Sequence, residues 1–291
     1  MSVIDLREEW ADLLQRRGAL ATSLVPYGPI LDAWAQWEPS LDAPDWDRAR
    51  CEACWRSGVP LLAEPARAKS SLAIGPSDVE DLVAVAMEAV TAVRPEEAPG
   101  MRRLADEWDA GRLGPGAFLP TRGAIGETAA RQLAMRPAVI AFIASAGLRP
   151  ALEWTLGGAR DLASEGVWTL GICPFCGAPP GFGDIVEDGR LQLGCHMCGG
   201  GWIFSRVRCP LCGADAPGDL ARLEAGGTDE AYFMSACMRC KGYVKQVDRR
   251  QRWNARGAVV EDWGSPHLDL AARRAGYWRP LPTLIDLATT D

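Results

Sequence analysis

The ten cysteines constrain this 291-residue chain more than any other feature, because all ten fall in C-x-x-C pairs: Cys51/Cys54, Cys173/Cys176, Cys195/Cys198, Cys209/Cys212 and Cys237/Cys240. A C-x-x-C turn aims two sulfurs at one point, and two such turns at the ends of a hairpin complete a tetrahedral shell of four sulfurs. Disulfide frameworks belong to secreted chains. Here the N-terminus, MSVIDLREEWADLL, is acidic and amphipathic, unlike the basic-then-apolar pattern of a secretory signal, so a cytoplasmic protein is expected. Metal is therefore favoured over disulfides, with redox disulfides in some pairs as the competing reading.

Four of the pairs sort by form. Cys173-Pro-Phe-Cys176-Gly and Cys209-Pro-Leu-Cys212-Gly share C-P-x-C-G, and Cys195-His-Met-Cys198-Gly and Cys237-Met-Arg-Cys240-Lys-Gly supply the answering pairs. Eighteen residues separate Cys176 from Cys195 and 24 separate Cys212 from Cys237; the first gap suits a zinc ribbon and the second lies slightly beyond it. Two metal ions per chain are expected, one held by Cys173, Cys176, Cys195 and Cys198, the other by Cys209, Cys212, Cys237 and Cys240. A glycine after the second cysteine permits the left-handed backbone such a turn needs. A four-sulfur shell suits zinc and rubredoxin-type iron equally. Four thiolates leave no open position for water, so a zinc there is structural rather than catalytic, whereas iron could also carry one electron. His196 sits inside a knuckle that sulfur already closes and is read as exposed or just outside the ligand shell.

Cys51-Glu-Ala-Cys54 differs. It lacks the proline and the trailing glycine and lies in helical sequence. Buried packing is the favoured reading, with a redox pair or a third knuckle as the alternatives.

The chain changes character near residue 165. Before it, helical stripes dominate: Val3, Leu6, Trp10, Leu13 and Leu14; then Val79, Leu82, Val83, Ala86, Met87 and Val90; then Met101, Leu104, Ala105 and Trp108. Ser77-Asp78-Val79-Glu80 reads as a capping box, and Pro137 marks a kink or break in the apolar run from Ala124 to Gly147. About six or seven helices are expected, and the seven tryptophans up to Trp154 fit core packing better than an exposed cluster. The longest apolar stretch, Ala138 to Leu148, has 11 residues, short of the roughly 20 a membrane span needs. After residue 165, the runs Gly166–Ile172, Arg190–Leu193, Gly201–Val207 and Ala231–Ser235 read as brief strands leading into cysteine pairs. They carry too little apolar sequence to build a core alone. One short helix is expected near the C-terminus, with Ser265 as N-cap, Pro266 at its first position and Gly276 beyond its end.

The fold class expected is α+β: an all-α N-terminal domain over 1–164, a first four-cysteine ribbon over 165–204, a second over 205–260, and a C-terminal helix and tail over 261–291. No phosphate-binding glycine motif, G-x-S-x-G or H-E-x-x-H occurs, and the paired carboxylates sit where solvated helix faces would put them, so no enzyme is expected. The net charge of −7 does not suit a general nucleic-acid binder. One segment points the other way: Lys241, Lys245, Arg249, Arg250, Arg252 and Arg256 against Asp248 give a local +5, with Tyr243 and Trp253 interleaved. A ribbon-based nucleic-acid binder and an iron electron carrier are therefore kept as alternative functions.

CPFCGAPPG, RLQLGCHMCGGGWIFSRVRCPLCG, ACMRCKGYVKQVD and EDWGSPHLDLAARRAGYWRP together resemble the formate dehydrogenase accessory protein family, FdhE. The most telling parts are Trp202, Arg206, Val207, Arg208, Cys209 and Pro210, then Leu268, Asp269, Leu270, Gly276 and Tyr277; Glu261-Asp262 stands where the family tends to have paired aspartates. The resemblance implies a helical domain joined to two rubredoxin-like or zinc-ribbon modules. It also implies an assembly factor that binds the catalytic subunit of formate dehydrogenase in the cytoplasm during maturation. Phe175, His196, Met197, Leu211, Met238 and Arg239, the knuckle-tip side chains that no metal needs, are the candidate contacts with that subunit.

Overall fold

The helical stripes of the first half become α1 (Val3–Arg16), α2 (Ala21–Leu24), α3 (Gly28–Gln36), α4 (Arg48–Ser57), α5 (Glu80–Val93), α6 (Ala98–Asp109), α7 (Glu127–Leu133) and α8 (Pro137–Asp161). A two-residue hairpin, β1 (Pro120–Thr121) and β2 (Ala124–Ile125), precedes α7. The computed structural model of the chain describes residues 3–40, 44–63, 74–162, 168–226 and 230–288. Leu6, Trp10 and Leu13 of α1 are buried, while the Val3 side chain and the 164/165 boundary lie outside the described parts.

Local chemistry sets the helix ends, not always as expected. The helix start near Ser77 is closed by Asp78, whose carboxylate accepts from the Gly75 N–H at 2.6 Å; α5 begins after it, at Glu80. The closure runs from Gly75 to Asp78, two residues ahead of the anticipated Ser77–Glu80 box. Pro137 acts as a break: α7 stops at Ala134 in a left-handed conformation, and Pro137 opens α8, where its missing N–H costs nothing. α8 packs along α5. A Cβ on Gly147 would lie 2.8 Å from Val83 Cγ2 and 3.1 Å from Val83 Cα, so this glycine sets how closely the two helices cross. Among the described residues α8 alone is long and apolar enough to cross a membrane, yet 89% of its most apolar window is buried inside the fold.

The second half forms β3 (Phe182–Ile185), β4 (Leu191–Gly194), β5 (Gly201–Phe204), β6 (Leu220–Leu223), β7 (Tyr232–Cys237) and β8 (Tyr243–Asp248), followed by α9 (Ala258–Trp263), α10 (Pro266–Arg274) and α11 (Leu284–Ala288). The strands make one six-stranded sheet in the order β5-β4-β3-β8-β7-β6. Each ribbon contributes an antiparallel meander, and parallel pairing of β3 with β8 joins them, with Gly183 opposite Gln246 and Ile185 opposite Asp248. β3 and β8 each start just after a knuckle, so parallel pairing places all four knuckles at the same end of the sheet. The expected strand at 166–172 does not form over its described part, 168–172. There the buried Trp168 indole donates to the Ile172 carbonyl at 2.7 Å, and Gly171 passes against the Pro210 carbonyl; these contacts replace a ladder. The C-terminal part holds three helices where one was expected, and α10 is the one that starts at Pro266 after Ser265.

The core does not respect the change in sequence character. One cluster runs from α1 through α5 and α8 into the first ribbon, taking in Phe175, Met197, Trp202 and all four cysteines from Cys173 to Cys198. Trp263 of α9 is inserted among Trp10, Tyr27, Trp34 and Phe142, stacking on Tyr27 at 4.5 Å between centroids. The second ribbon turns Phe233 and Val244 into this cluster and packs its other face on α10 through a second cluster around Phe182, Tyr232, Met234, Tyr243 and Leu268.

Candidate metal centres

The four knuckles repeat one turn. In each, the residue after the second cysteine donates its N–H to the first cysteine's carbonyl: Gly177 to Cys173 at 2.9 Å, Gly199 to Cys195 at 3.0 Å, Gly213 to Cys209 at 2.9 Å and Lys241 to Cys237 at 3.0 Å. In return the first cysteine's N–H donates to the residue one further on: Cys173 to Ala178, Cys195 to Gly200, Cys209 to Ala214 and Cys237 to Gly242, at 2.7–2.8 Å. The turn residue is left-handed in all four, at φ +83°, +69°, +78° and +58°. Three of these positions carry the glycine this conformation favours; the fourth is Lys241, whose ammonium lies over the Tyr277 ring at 5.4 Å.

These turns bring the eight cysteines into two groups, Cys173 with Cys176, Cys195 and Cys198, and Cys209 with Cys212, Cys237 and Cys240, the four sulfurs of each lying within 4.8 Å of one another. Sulfur separations of 3.6 Å (Cys173–Cys198), 3.4 Å (Cys176–Cys195), 3.8 Å (Cys209–Cys240) and 3.7 Å (Cys212–Cys237) are far longer than a disulfide bond of about 2.05 Å. They match the edge of a tetrahedron with metal–sulfur bonds of about 2.3 Å, roughly 3.8 Å. The donor set therefore fits a closed four-sulfur ion in both places, and such an ion supplies rigidity to the loops around it. Backbone N–H groups of Leu211 and Gly242 point at the Cys209 and Cys240 sulfurs, each at 3.4 Å. Burial pushes the thiols of Cys173, Cys176 and Cys209 up, so an arriving cation displaces protons from them.

The first group is walled in by the helical half. Leu61 and Leu62 donate their N–H groups to the Pro174 and Phe175 carbonyls, both at 3.0 Å. Trp55 of α4 packs near Phe175 and Trp168. From α8, Arg149 donates to the His196 carbonyl at 2.9 Å and Arg160 to that of Cys198, while Glu153 bridges the two arginines. Phe175, His196 and Met197 are consequently buried: these tips are spent on contacts within the chain. On the second group, Leu211 is half-buried and Met238 and Arg239 are exposed.

His196 is not exposed. It reaches out of its knuckle to a charge cluster that the sequence did not reveal. Its Nε2 lies 2.9 Å from Asp262 Oδ2. Lys245 Nζ contacts Asp262 Oδ1 at 3.0 Å and Asp269 Oδ2 at 2.6 Å. Arg279 reaches both carboxylates at 2.8 and 3.0 Å, and the Tyr243 hydroxyl donates to Asp269 at 2.7 Å. Burial holds His196 below its usual range despite the pull of Asp262, so the imidazole is neutral at pH 7. Asp262 and Asp269 thus face Lys245 and Arg279 in one buried group. Burial opposes the Asp262 charge, but Arg279 and Lys245 outweigh it and keep that carboxyl ionised. The only sequence signal for these groups was the acidic pair at 261–262 and Asp269, seen through the family resemblance. Glu261 is buried too, accepting from the Tyr232 hydroxyl at 2.7 Å.

The cluster also dismantles the basic segment. Lys245 and Tyr243 are interior. Arg249 pairs with Asp184 at 2.9 Å, Arg250 with Asp248 at 2.6 Å and Arg256 with Asp12 at 3.0 Å. Burial of Lys245 and these three ion pairs offset much of the charge counted in the segment. Cys51 and Cys54 lie buried on α4 within the main core and belong to neither sulfur group.

No family model matches the chain. It is 30% identical over 154 residues to an FdhE homolog of Stutzerimonas stutzeri, covering 51% of this chain and 49% of that protein. An FdhE homolog of Pseudomonas aeruginosa is 29% identical over 161 residues, covering 53% and 52%. The chain thus spans about half the length of these curated relatives in alignment. Among solved structures, the FdhE protein from Pseudomonas aeruginosa superposes with a TM-score of 0.59 over 99% of this chain and 97% of that one, at 23% identity. The resemblance seen in the cysteine motifs is borne out: this protein is similar to the FdhE proteins in sequence over about half its length and in fold over nearly all of it.

Proposed function

We propose that the chain is a cytoplasmic, non-catalytic accessory protein for formate dehydrogenase. In this reading it binds the catalytic subunit during maturation, with a metal ion, zinc or iron, in each four-cysteine group. The observation that carries the reading is that both groups are closed by four sulfurs. A closed four-sulfur ion has no position for substrate, but it holds short loops stiffly, and stiff loops lose little entropy on docking. The similarity to FdhE proteins supports formate dehydrogenase as the client. With Phe175, His196 and Met197 covered by the chain's own helices, the contact surface narrows to the second ribbon, at Leu211, Met238 and Arg239, beside the half-exposed Trp278.

The test is co-purification of the subunit with the tagged full-length chain. The complex is expected to survive nuclease and high salt. A Leu211→Ser, Met238→Asp chain is expected to lose the subunit while keeping its metal content. Undiminished capture by that variant would move the contact elsewhere, and capture abolished by nuclease would favour a nucleic-acid function.

A further inference from the structure

The two sulfur groups share one turn geometry but not one environment. In the first, Cys173, Cys176, Cys195 and Cys198 are all 2% exposed or less, and all four belong to the main core. Peptide groups of residues 61 and 62, the Phe175 ring and the arginines of α8 close around them. Reaching any of these sulfurs means opening the core that α5 and α8 also share.

In the second group Cys212 is exposed and Cys240 half-exposed. Cys209, Cys237 and Cys240 form a small island with Ala214, Leu211 and Leu220, separate from both larger clusters. Its outer cover is thin: the Trp278 indole donates to the Cys240 carbonyl at 2.7 Å and is itself 49% exposed. The Tyr277 hydroxyl donates to Met238 Sδ at 3.1 Å. The island also contains the one knuckle whose left-handed position is held by a residue with a side chain, Lys241.

We infer that the second group, Cys209, Cys212, Cys237 and Cys240, is an exchangeable soft-metal site, while the first is a permanent one. The inference rests on the reading that both groups bind metal. Exchange at a closed four-sulfur ion requires either an incoming ligand that reaches a sulfur or the ion, or a local opening that frees one thiolate. Cys212 and Cys240 offer the first route. The detached island offers the second, because opening it exposes none of the main core. The incoming partner is a thiol or a nitrogen chelator: it binds the ion as a thiolate of the protein leaves and takes up a proton, with no change of oxidation state.

The experiment uses the full-length chain loaded with two zinc ions, mixed with excess 4-(2-pyridylazo)resorcinol at neutral pH. Zinc transfer is followed by absorbance and the remaining stoichiometry by native mass spectrometry. Release is expected in two phases of one equivalent each, the first at least about tenfold faster. Iodoacetamide added between the phases should modify cysteines of the Cys209 group and spare those of the Cys173 group. Trp278→Ala, which thins the cover, should speed only the fast phase. Two ions leaving at one rate, or alkylation falling first on the Cys173 group, would overturn the inference and leave metal binding intact. A chain that retains a single ion decides by the same labelling: protected Cys173-group sulfurs support the inference and protected Cys209-group sulfurs refute it. Failure to hold any zinc would sink the metal-binding reading itself.

Discussion

At the scale of single residues, what could be read in advance was what is written locally. A knuckle is five or six consecutive residues, so its sulfurs, its proline and its left-handed glycine are visible in sequence. Lys245 and Asp286 are not, because their environments are made by distant chain. Lys245 looks like one cation of a basic run, yet its partners stand 17 and 24 positions away. Asp286 opens as an ordinary acidic residue of α11 and ends up buried, accepting from the Thr283 N–H at 2.8 Å and the Thr283 hydroxyl at 2.9 Å. Burial, with the negative Asp269 nearby, pushes its carboxyl up to about 6. A carboxyl raised in the folded state binds its proton more tightly there than in the unfolded chain. Its favourable contribution is therefore complete below pH 4 and is lost as pH rises through about 6. Asp286→Asn keeps an acceptor for Thr283 and cannot ionise. Its stability relative to the parent should rise between pH 4 and pH 7.5, by about 2–3 kcal/mol. Chemical denaturation at several pH values measures the difference, and a constant difference across that range would show that the Asp286 carboxyl is not raised in the folded chain.

At the scale of elements, α1, α5, α6 and three of the short strands were legible from periodicity, because each buries one face of its own segment, whereas α2 and α3 were not, and eight helices form among the described residues of the first half where six or seven were expected. β3, β6 and β8 were not. β8 is interior along its whole length and carries a lysine and a glutamine among its apolar residues, so it shows no alternation to read. The C-terminal helices were equally hidden. α9 is six residues long, too short to show a period, and what makes it structural is the single tryptophan at its end. Trp263 contacts rings from α1, α3 and α8 and the turn at Tyr27, so α9 fastens the C-terminal segment into the helical core. Trp263→Ala should cost about 3–5 kcal/mol, the range for deleting a large buried aromatic, and should loosen the Asp262 cluster one residue away. Thermal unfolding with near-ultraviolet circular dichroism would register both. A loss under about 1 kcal/mol would mean that α9 is held by its buried carboxylates rather than by its ring.

At the scale of the whole molecule, the sequence suggests separable helical and ribbon parts, and the packing joins them unequally. The first ribbon lends its cysteines to the same cluster as α5 and α8, whereas the second ribbon gives that cluster only Phe233 and Val244 of its strands and keeps its sulfurs in a separate island. Sequence composition could not distinguish the two ribbons, since both read as short strands with a paired knuckle. Only tertiary burial separates them. The consequence is an asymmetry in what each metal ion stabilises. In small metal-folded modules a structural zinc is worth on the order of 10–16 kcal/mol, and where that free energy acts depends on what is packed against the sulfurs. Cys173→Ser should withdraw support from the shared core: the main melting transition, followed by helical ellipticity, should fall by about 10 °C, the shift expected for roughly 3–4 kcal/mol in a chain of this size. Cys209→Ser should leave that transition within a few degrees of the parent while zinc content drops by one equivalent. The second ribbon alone would then become susceptible to proteolysis between Cys209 and Cys240. Equal falls in the main transition for both variants would show that the parallel pairing of β3 with β8 transmits the loss across the whole sheet, and the ribbons would then have to be treated as one cooperative unit.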